Sequence, residues 1–166
     1  AAPSTAMWNL SRLDPESAEF KAGFEAFLYE YGSRGPNEWD IYSEVWETKP
    51  ALALALIDSM RATGPAADPK ARFTTVVADR EAAMAEALAA VEGNAEATGM
   101  IMAASASAQR FNAWRERSKT DCIKVINEQR LALFELGSRH LADRRDVCML
   151  TDAELDGFVA NPGAFN

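Results

Sequence analysis

The chain has 166 residues, of which 48% are hydrophobic and 25% are charged. This balance is typical of one globular domain with a continuous core and excludes a disordered chain. The formal net charge of −8 argues against general nucleic-acid binding, which requires a basic face towards the phosphates.

The cysteines, the hydropathy and the start of the chain indicate its setting. Cys122 and Cys148 are too few and too widely spaced for a disulfide framework, so a reducing cytoplasm is the simplest location. No apolar run approaches the roughly 20 residues of a membrane-spanning helix, and no membrane contact is expected. Because the chain begins without methionine and shows no leader pattern, we expect a piece of a larger multidomain protein.

The N-terminal third predicts two helices separated by a long loop. The first covers residues 15–31, after an Asp14-Pro15 pair that is typical of an N-cap followed by proline in the first turn. Gly32 is the expected C-cap. Residues 32–48 are rich in Gly, Arg, Trp and acidic side chains and predict a loop, and Pro50 opens the second helix.

The middle of the chain predicts long helices. A third helix covers about 69–92, because its alanine-rich second half is a strong helix former, and Gly93-Asn94 ends it. The fourth and fifth predicted helices have no Pro or Gly between them, so two helices and one long rod are both possible. The small residues at 103–108 would let a helix or a ligand approach closely.

The C-terminal segment predicts a change of structure. Asp146–Leu150 predicts a short strand, and Thr151-Asp152-Ala153-Glu154 has the capping-box pattern that starts a last short helix. The sequence therefore predicts an all-α fold in a single domain over residues 1–166. We expect a bundle of about five long helices at 14–142 and a short non-helical tail, with the strand and the capped helix, at 146–163.

Several kinds of site are absent from the sequence. His140 is the only histidine, and its place at a predicted helix C-terminus favours a structural role. One histidine and two scattered cysteines do not make a zinc site, and there is no Glu-x-x-His motif for a di-iron site. Because neither GxxxxGK[ST] nor GxGxxG occurs, the chain itself is expected to bind no metal or nucleotide cofactor.

Two clusters of side chains remain as candidate sites. In the loop, Arg34 pairs with Glu38 or Asp40 while Trp39 fills a gap, or the same ordered residues form a binding site. On a predicted helix, Arg115 and Lys119 are four residues apart and share one face. Neighbouring acids could balance these two charges. Alternatively, the pair binds an anion such as phosphate, which arginine holds by its fork and lysine as a point charge.

These clusters resemble segments of a known family in the same order along the chain. The segment from Phe27 to Asp40 resembles the FLxxYGxRGPGExD motif of phosphoenolpyruvate-utilising phosphotransferases, a group that includes phosphoenolpyruvate synthase and rifampicin phosphotransferase. Residues 115–119 and 136–141 resemble the family's REx2K and LGxxL segments, and residues 146–155 resemble its DDVFxLTxxEL tail. The resemblance covers roughly residues 15–163 and predicts a helical domain of such an enzyme.

The resemblance implies a division of labour between domains. An ATP-grasp domain, using ATP and Mg, phosphorylates a histidine on a swivelling domain, and both domains would be partners of this chain in the same polypeptide or in separate subunits. This domain would hold a small-molecule acceptor with a hydroxyl group, and Arg115 and Lys119 would face the incoming phosphohistidine. The motif around the phosphorylated histidine is absent here, so His140 is not assigned that role. Asn37 replaces the second glycine of the loop motif.

The leading hypothesis is therefore an acceptor-binding domain that is not catalytic on its own. Arg115 and Lys119 are the predicted catalytic residues. The predicted acceptor-binding residues are Arg34, Glu38, Trp39, Asp40, Trp46, Met100, Phe111 and Trp114. A largely apolar pocket would suit an aromatic or polyketide-like alcohol or phenol. The alternative is a non-catalytic helical spacer or protein-docking module.

Overall fold

The computed structural model describes residues 3–165, apart from the side chain of Ala66. These residues form six α-helices and three 3₁₀ segments and contain no strand. The helices are α1 Pro3–Ser11, α2 Ala18–Tyr31, α3 Ala51–Arg61, α4 Pro69–Ala89, α5 Ala95–His140 and α6 Asp152–Ala160. The all-α prediction is confirmed, and the predicted count of about five long helices is wrong.

The contacts divide the chain into two compact units. The first unit consists of Ala1–Phe27 with Ala53–Thr120, and the second of Leu28–Leu52 with Asp121–Asn166. Helices α2, α3 and α5 each contribute residues to both units. The predicted single domain also includes residues 1, 2 and 166, which lie outside the described residues, and its extent stays a prediction.

Helix α1 was not predicted, because its nine residues are too few to show a helical pattern. It is held in place by packing in the first unit, where Met7, Trp8, Leu10 and Ser11 are buried. The Arg12 guanidinium lies 4.2 Å from the centre of the Trp8 ring and donates hydrogen bonds to the backbone oxygens of Met60 and Thr63. Tertiary contacts therefore stabilise α1, although its sequence pattern alone does not predict a helix.

Helix α2 begins later than predicted, at Ala18 instead of residue 15. Asp14 does not cap it. The Asp14 side chain accepts a hydrogen bond from Glu16 N at 3.0 Å, which forms a separate turn. Ser17 Oγ then accepts from Phe20 N at 3.1 Å, so Ser17 satisfies an N-terminal amide of the helix. Proline at 15 therefore stands in the turn before the helix, and the prediction of an N-cap at Asp14 is wrong.

The fourth and fifth predicted helices form the single helix α5, which has 46 residues. The sequence had left this possibility open, since nothing breaks the pattern between them. The buried residues of α5, which are Ile123, Asn127, Arg130, Phe134 and Gly137, all belong to the second unit. The part of α5 in the first unit has no buried residue, and neither has α4.

The second unit has its own core around the C-terminal half of α5. Its buried hydrophobic residues are Val45, Ile123, Phe134, Val147 and Phe158. Gly137 allows the chain after α5 to pack directly against the helix. A Cβ at this position would overlap the Arg144 carbonyl oxygen and lie 2.9 Å from its carbonyl carbon. The glycine of the LGxxL-like segment therefore allows the backbone at Arg144 to pack against α5.

The predicted strand at Asp146–Leu150 is wrong, as is the prediction of a non-helical tail. This segment belongs to a 3₁₀ helix, Arg144–Met149, whose N-cap Asp143 accepts a hydrogen bond from Arg145 N. A strand needs a neighbouring strand for its backbone groups, and the described residues offer none. The capping box is confirmed, because Thr151 and Glu154 bond each other's backbone amides at the start of α6.

Candidate functional site: the ordered loop and helix α5

The loop between α2 and α3 folds back on itself in the second unit. Trp46 N donates to Arg34 O at 2.9 Å, and Glu47 N donates to Gly32 O at 2.9 Å. A Cβ on Gly32 would lie 2.9 Å from the Glu47 Cβ and overlap the Leu28 carbonyl oxygen. Gly32, the predicted C-cap, therefore also permits this close approach of the two ends of the loop.

The predicted ion pair within the loop is present. Arg34 Nε lies 2.6 Å from Glu38 Oε2, and Gly35 N donates to the same oxygen at 3.4 Å. Glu38 is 8% exposed, so its carboxylate is held by these charge-assisted bonds away from bulk water. Of the two acids that were possible partners for Arg34, the structure selects Glu38.

The exposed side of the loop is held by shorter-range bonds. Asp40 accepts a hydrogen bond from Tyr42 N at 3.1 Å and one from Ser43 Oγ at 2.8 Å. Asn37, which stands where the family motif has glycine, donates to Asp40 and Ser43 at 3.3 and 3.2 Å. Asn37 has no positive φ, so the asparagine fits this position without strain. Its side chain adds order to the loop.

Arg130 of α5 holds the loop in place and could not be predicted from the sequence pattern. Its side chain is fully buried, and Nη2 donates to the backbone oxygens of Glu38 and Asp40, each at 3.0 Å. Nη1 donates to Asn127 Oδ1 at 2.8 Å, and Asn127 in turn donates to Glu47 Oε2 at 2.7 Å. One guanidinium thus fixes the backbone at Glu38 and Asp40. No pattern in the sequence indicates this contact.

The charges around Arg130 offset part of the cost of burying it. Burial lowers the pKa of Arg130, and the nearby groups of Asp40, Cys148 and Glu44 act in the opposite direction. Burial also raises the pKa of the Cys148 thiol, which Arg130 partly counteracts. The two groups therefore act on each other, because Arg130 favours ionisation of the Cys148 thiol and Cys148 favours the charged form of Arg130.

The two tryptophans of the loop have different environments. Trp39 is 54% exposed, whereas Trp46 is half-buried. The expectation that Trp39 fills a gap is therefore wrong for these described residues, since half of its surface faces water. Trp39 and Trp46 stay predicted acceptor-binding residues.

Arg115 and Lys119 lie on the continuous helix α5, in the first unit. Their spacing of four residues places them on one helical face, as predicted. Arg115 is exposed and lies 3.0 Å from Glu116 Oε1, whereas Lys119 is half-buried. An exposed ion pair of this kind contributes at most about 1 kcal/mol, so an anion in solution can compete with Glu116 for Arg115.

Met100, Phe111 and Trp114 also lie in the first unit, on one side of α5. Helix periodicity of about 100° per residue places them within roughly 60° of one another. They are 66%, 73% and 69% exposed, respectively. These predicted binding residues therefore form an open apolar face on the helix.

A concave groove lies between α4 and α5 of the first unit, with a volume of about 370 Å³. It is lined by Arg80, Glu81, Met84, Leu88, Met102, Ser105, Ala106 and Gln109. None of these residues was predicted to bind the acceptor. The sequence did contain part of the information that locates this groove. Ser105 and Ala106 belong to the run of small residues that was expected to allow close approach of a helix or a ligand.

Other candidate chemistry is limited in the described residues. His140 ends α5 and packs edge-to-face against Phe158, with 5.8 Å between the ring centres. In residues 3–165, no group of three or more His, Cys, Asp or Glu side chains is placed to hold a metal ion.

A search of the described helices for a membrane-spanning segment found none that is long and apolar enough.

These features define an all-helical domain with an ordered Arg-Gly-Pro loop and an arginine–lysine pair on its longest helix. A family model described as the rifampicin phosphotransferase fourth domain matches residues 1–116. The chain therefore belongs to the rifampicin phosphotransferase fourth domain family, and the predicted resemblance is confirmed. No curated protein and no solved structure matches the chain.

The family match covers some of the candidate residues and not others. The match includes the loop, the α4–α5 groove and Arg115, whereas Lys119 and Arg130 lie beyond residue 116. The chain is accordingly a domain of a rifampicin phosphotransferase-like enzyme.

Proposed function

We propose that this domain binds a small molecule with a hydroxyl group and positions it to receive a phosphoryl group from a phosphohistidine. The phosphohistidine would belong to a swivelling partner domain, which an ATP-grasp domain phosphorylates with ATP and Mg. The observation that carries the proposal is that the first unit contains both the Arg115–Lys119 pair and a concave apolar groove.

The chemistry assigned to Arg115 and Lys119 is electrostatic. In the transfer step, the acceptor oxygen forms a bond to phosphorus while the bond from phosphorus to the histidine nitrogen breaks. The hydroxyl proton leaves to the histidine nitrogen or to water. Arg115 would hold two phosphoryl oxygens by its fork and Lys119 would add a point charge, which stabilises the negative charge during transfer.

The α4–α5 groove is the proposed site for the body of the acceptor. Met84, Leu88 and Met102 provide apolar surface, while Ser105 and Gln109 provide a few polar groups that orient a ligand. A groove of this composition suits an aromatic or polyketide-like alcohol or phenol better than a small keto acid. Rifampicin, which appears in the family description, is the first acceptor to test.

A docking role is the second candidate, and a specific observation favours it. Phe73 on α4 and Phe111 and Trp114 on α5 are each more than two-thirds exposed. Phe111 and Trp114 share one side of α5, and a contiguous exposed apolar patch is typical of an interaction surface. In a spacer or docking module, these residues would contact a neighbouring domain and Arg115 would serve in surface ion pairs.

The test compares acceptor-dependent phosphoryl transfer in the complete enzyme that carries this domain. Arg115→Ala and Lys119→Ala are measured against Arg117→Ala, which is exposed on the same helix but points to another side. ATP consumption is followed with rifampicin and a panel of phenols and alcohols, and histidine phosphorylation is measured separately.

The proposal predicts that Arg115→Ala and Lys119→Ala each lower acceptor-dependent turnover by roughly a hundredfold. Histidine phosphorylation should be unchanged, and Arg117→Ala should behave like the wild type. Unchanged turnover in both variants would refute the phosphoryl-transfer role and leave the docking module as the better account.

A further inference from the structure

A second cavity lies within the second unit and has no role in the proposed transfer. It has a volume of about 380 Å³. The end of α2, the loop and the second half of α5 supply its lining. The lining residues are Tyr29, Glu30, Ser33, Glu47, Lys124, Asn127 and Glu128.

The lining carries an excess of negative charge. Glu30, Glu47 and Glu128 provide three carboxylates, and Lys124 provides the single cation. Lys124 Nζ lies 4.0 Å from Glu30 Oε1 and so balances that acid. Glu128 has no ion pair within residues 3–165, and Glu47 is bonded only through Oε2, to Asn127. Two carboxylates therefore remain to attract a positive group.

Ser33 adds a neutral hydroxyl residue to the cavity wall. It is only 6% exposed, and its surface lines the cavity. Its hydroxyl has no hydrogen-bond partner among the described residues. The hydroxyl oxygen is not sealed from solvent, so it can exchange a hydrogen bond with a molecule in the cavity.

The cavity is held in shape without a ligand. Glu47 N donates to Gly32 O at 2.9 Å, and Arg34 N donates to Tyr31 O at 2.9 Å, so both neighbours of Ser33 are fixed. On the opposite wall, the Nδ2 and Oδ1 atoms of Asn127 are bonded to Glu47 and Arg130, respectively. A ligand would therefore enter a prepared site and would pay little to order it.

We propose that this cavity binds a small organic cation with a primary ammonium group. The ammonium would donate hydrogen bonds to Ser33 Oγ and to the carboxylates of Glu47 and Glu128. An ammonium offers three donors, which matches these three acceptors. None of its lining residues takes part in the proposed phosphoryl transfer, so failure of either proposal leaves the other intact.

Calorimetric titration of the intact protein with 1,4-diaminobutane tests this site. The diamine carries primary ammonium groups, and uncharged 1,4-butanediol is the matched probe. We expect binding of the diamine but not of the diol at low salt, about 50 mM, where surface screening is modest. Glu128→Gln and Ser33→Ala should each weaken binding roughly tenfold.

Lys124→Gln and Glu25→Gln make the test sharper. Removal of the competing Lys124 ammonium should strengthen diamine binding several-fold, whereas a site for an anion would respond in the opposite sense. Glu25→Gln removes an exposed carboxylate from α2 in the first unit and should have no effect.

Three results would overturn the assignment. The first is that the diamine does not bind. The second is that Glu25→Gln weakens binding as much as Glu128→Gln, which would indicate general attraction to an acidic chain. The third is that Lys124→Gln weakens binding.

Discussion

Arg130 is the residue on which the order of the loop most depends. It is fully buried and donates to two loop carbonyls and to Asn127. The Arg34–Glu38 pair could be predicted from its spacing within one segment. Arg130 could not, because its loop partners lie about ninety positions away in the sequence and their carbonyl oxygens carry no residue-type signal.

Substitution Arg130→Met should destabilise the protein by about 3 kcal/mol, because it leaves buried carbonyl groups without a donor. Arg130→Lys should recover part of this loss, since lysine keeps the charge but lacks the fork. Urea unfolding measures both. Arg139→Met, which removes an exposed helix pair with Glu135, is the control and should cost less than about 0.5 kcal/mol. Equal effects at positions 130 and 139 would contradict this role.

The Asp143–Arg145 pair predicts a pH dependence. Its hydrogen bonds from Arg145 lower the pKa of Asp143 to about 2. A carboxyl with a lowered folded-state pKa stabilises the protein above its unfolded pKa of about 4, and this contribution is lost as the pH falls towards 2.

Asp143→Asn should therefore lower the melting temperature at pH 7. The difference from the wild type should shrink between pH 4 and pH 2, where Asp143 becomes protonated. Thermal unfolding across this range measures it, and Asp152→Asn is the comparison. A difference that is the same at pH 7 and pH 2 would exclude the charge as its cause. Because the Asp143 side chain is 41% exposed, the effect should be smaller than that of Arg130→Met.

At the scale of elements, the two glycines of α5 have opposite roles. A Cβ at Gly99 would meet nothing within 4 Å, whereas a Cβ at Gly137 would overlap the Arg144 carbonyl oxygen. Gly99→Ala should stabilise the protein by about 0.5–1 kcal/mol, because alanine is the better helix former. Gly137→Ala should destabilise it by about 1–3 kcal/mol, as overpacking does. Chemical unfolding measures both, and the same sign at both positions would contradict the packing.

The groove and the exposed face of α5 can be separated by mutation. Ala106→Leu places a larger side chain in the groove, whereas Ala104→Leu adds the same bulk outside its lining. If the groove holds the acceptor, Ala106→Leu should raise the acceptor KM roughly tenfold and Ala104→Leu should leave it unchanged. If Phe111→Ala and Trp114→Ala raise KM and Ala106→Leu does not, the predicted face binds the acceptor and the groove does not.

Most of the helices could be predicted from local signals, and the errors have physical causes. The capping box of α6 and the unbroken pattern of α5 are encoded within short segments. Helix α1 was missed because burial of Trp8 and its contact with Arg12 depend on the fold. The apolar residues 147–150 predict a strand wrongly, because periodicity alone does not reveal whether a partner strand exists.

At the scale of the whole molecule, the family could be predicted from the sequence, but the residues that line the groove could not. The Arg-Gly-Pro loop motif and the order of the family-like segments along the chain were sufficient to predict the family. The groove depends on which sides of α4 and α5 face each other, and Met84 and Met102 look like ordinary helix residues in the sequence. Helix α4 has no buried residue, and α5 has none in the first unit, so both helices present large exposed surfaces.

The most direct test of the central claim is a single-turnover measurement on the phosphohistidine. The proposed swivelling partner domain is phosphorylated with labelled ATP, and excess ATP is removed. Loss of the label is then timed after addition of rifampicin or another accepted alcohol or phenol. We predict that acceptor speeds the loss in the wild type and that Lys119→Ala and Arg115→Ala slow the acceptor-dependent phase by roughly a hundredfold. A phase of unchanged rate in both variants would contradict the account, because the pair would then have no part in the transfer.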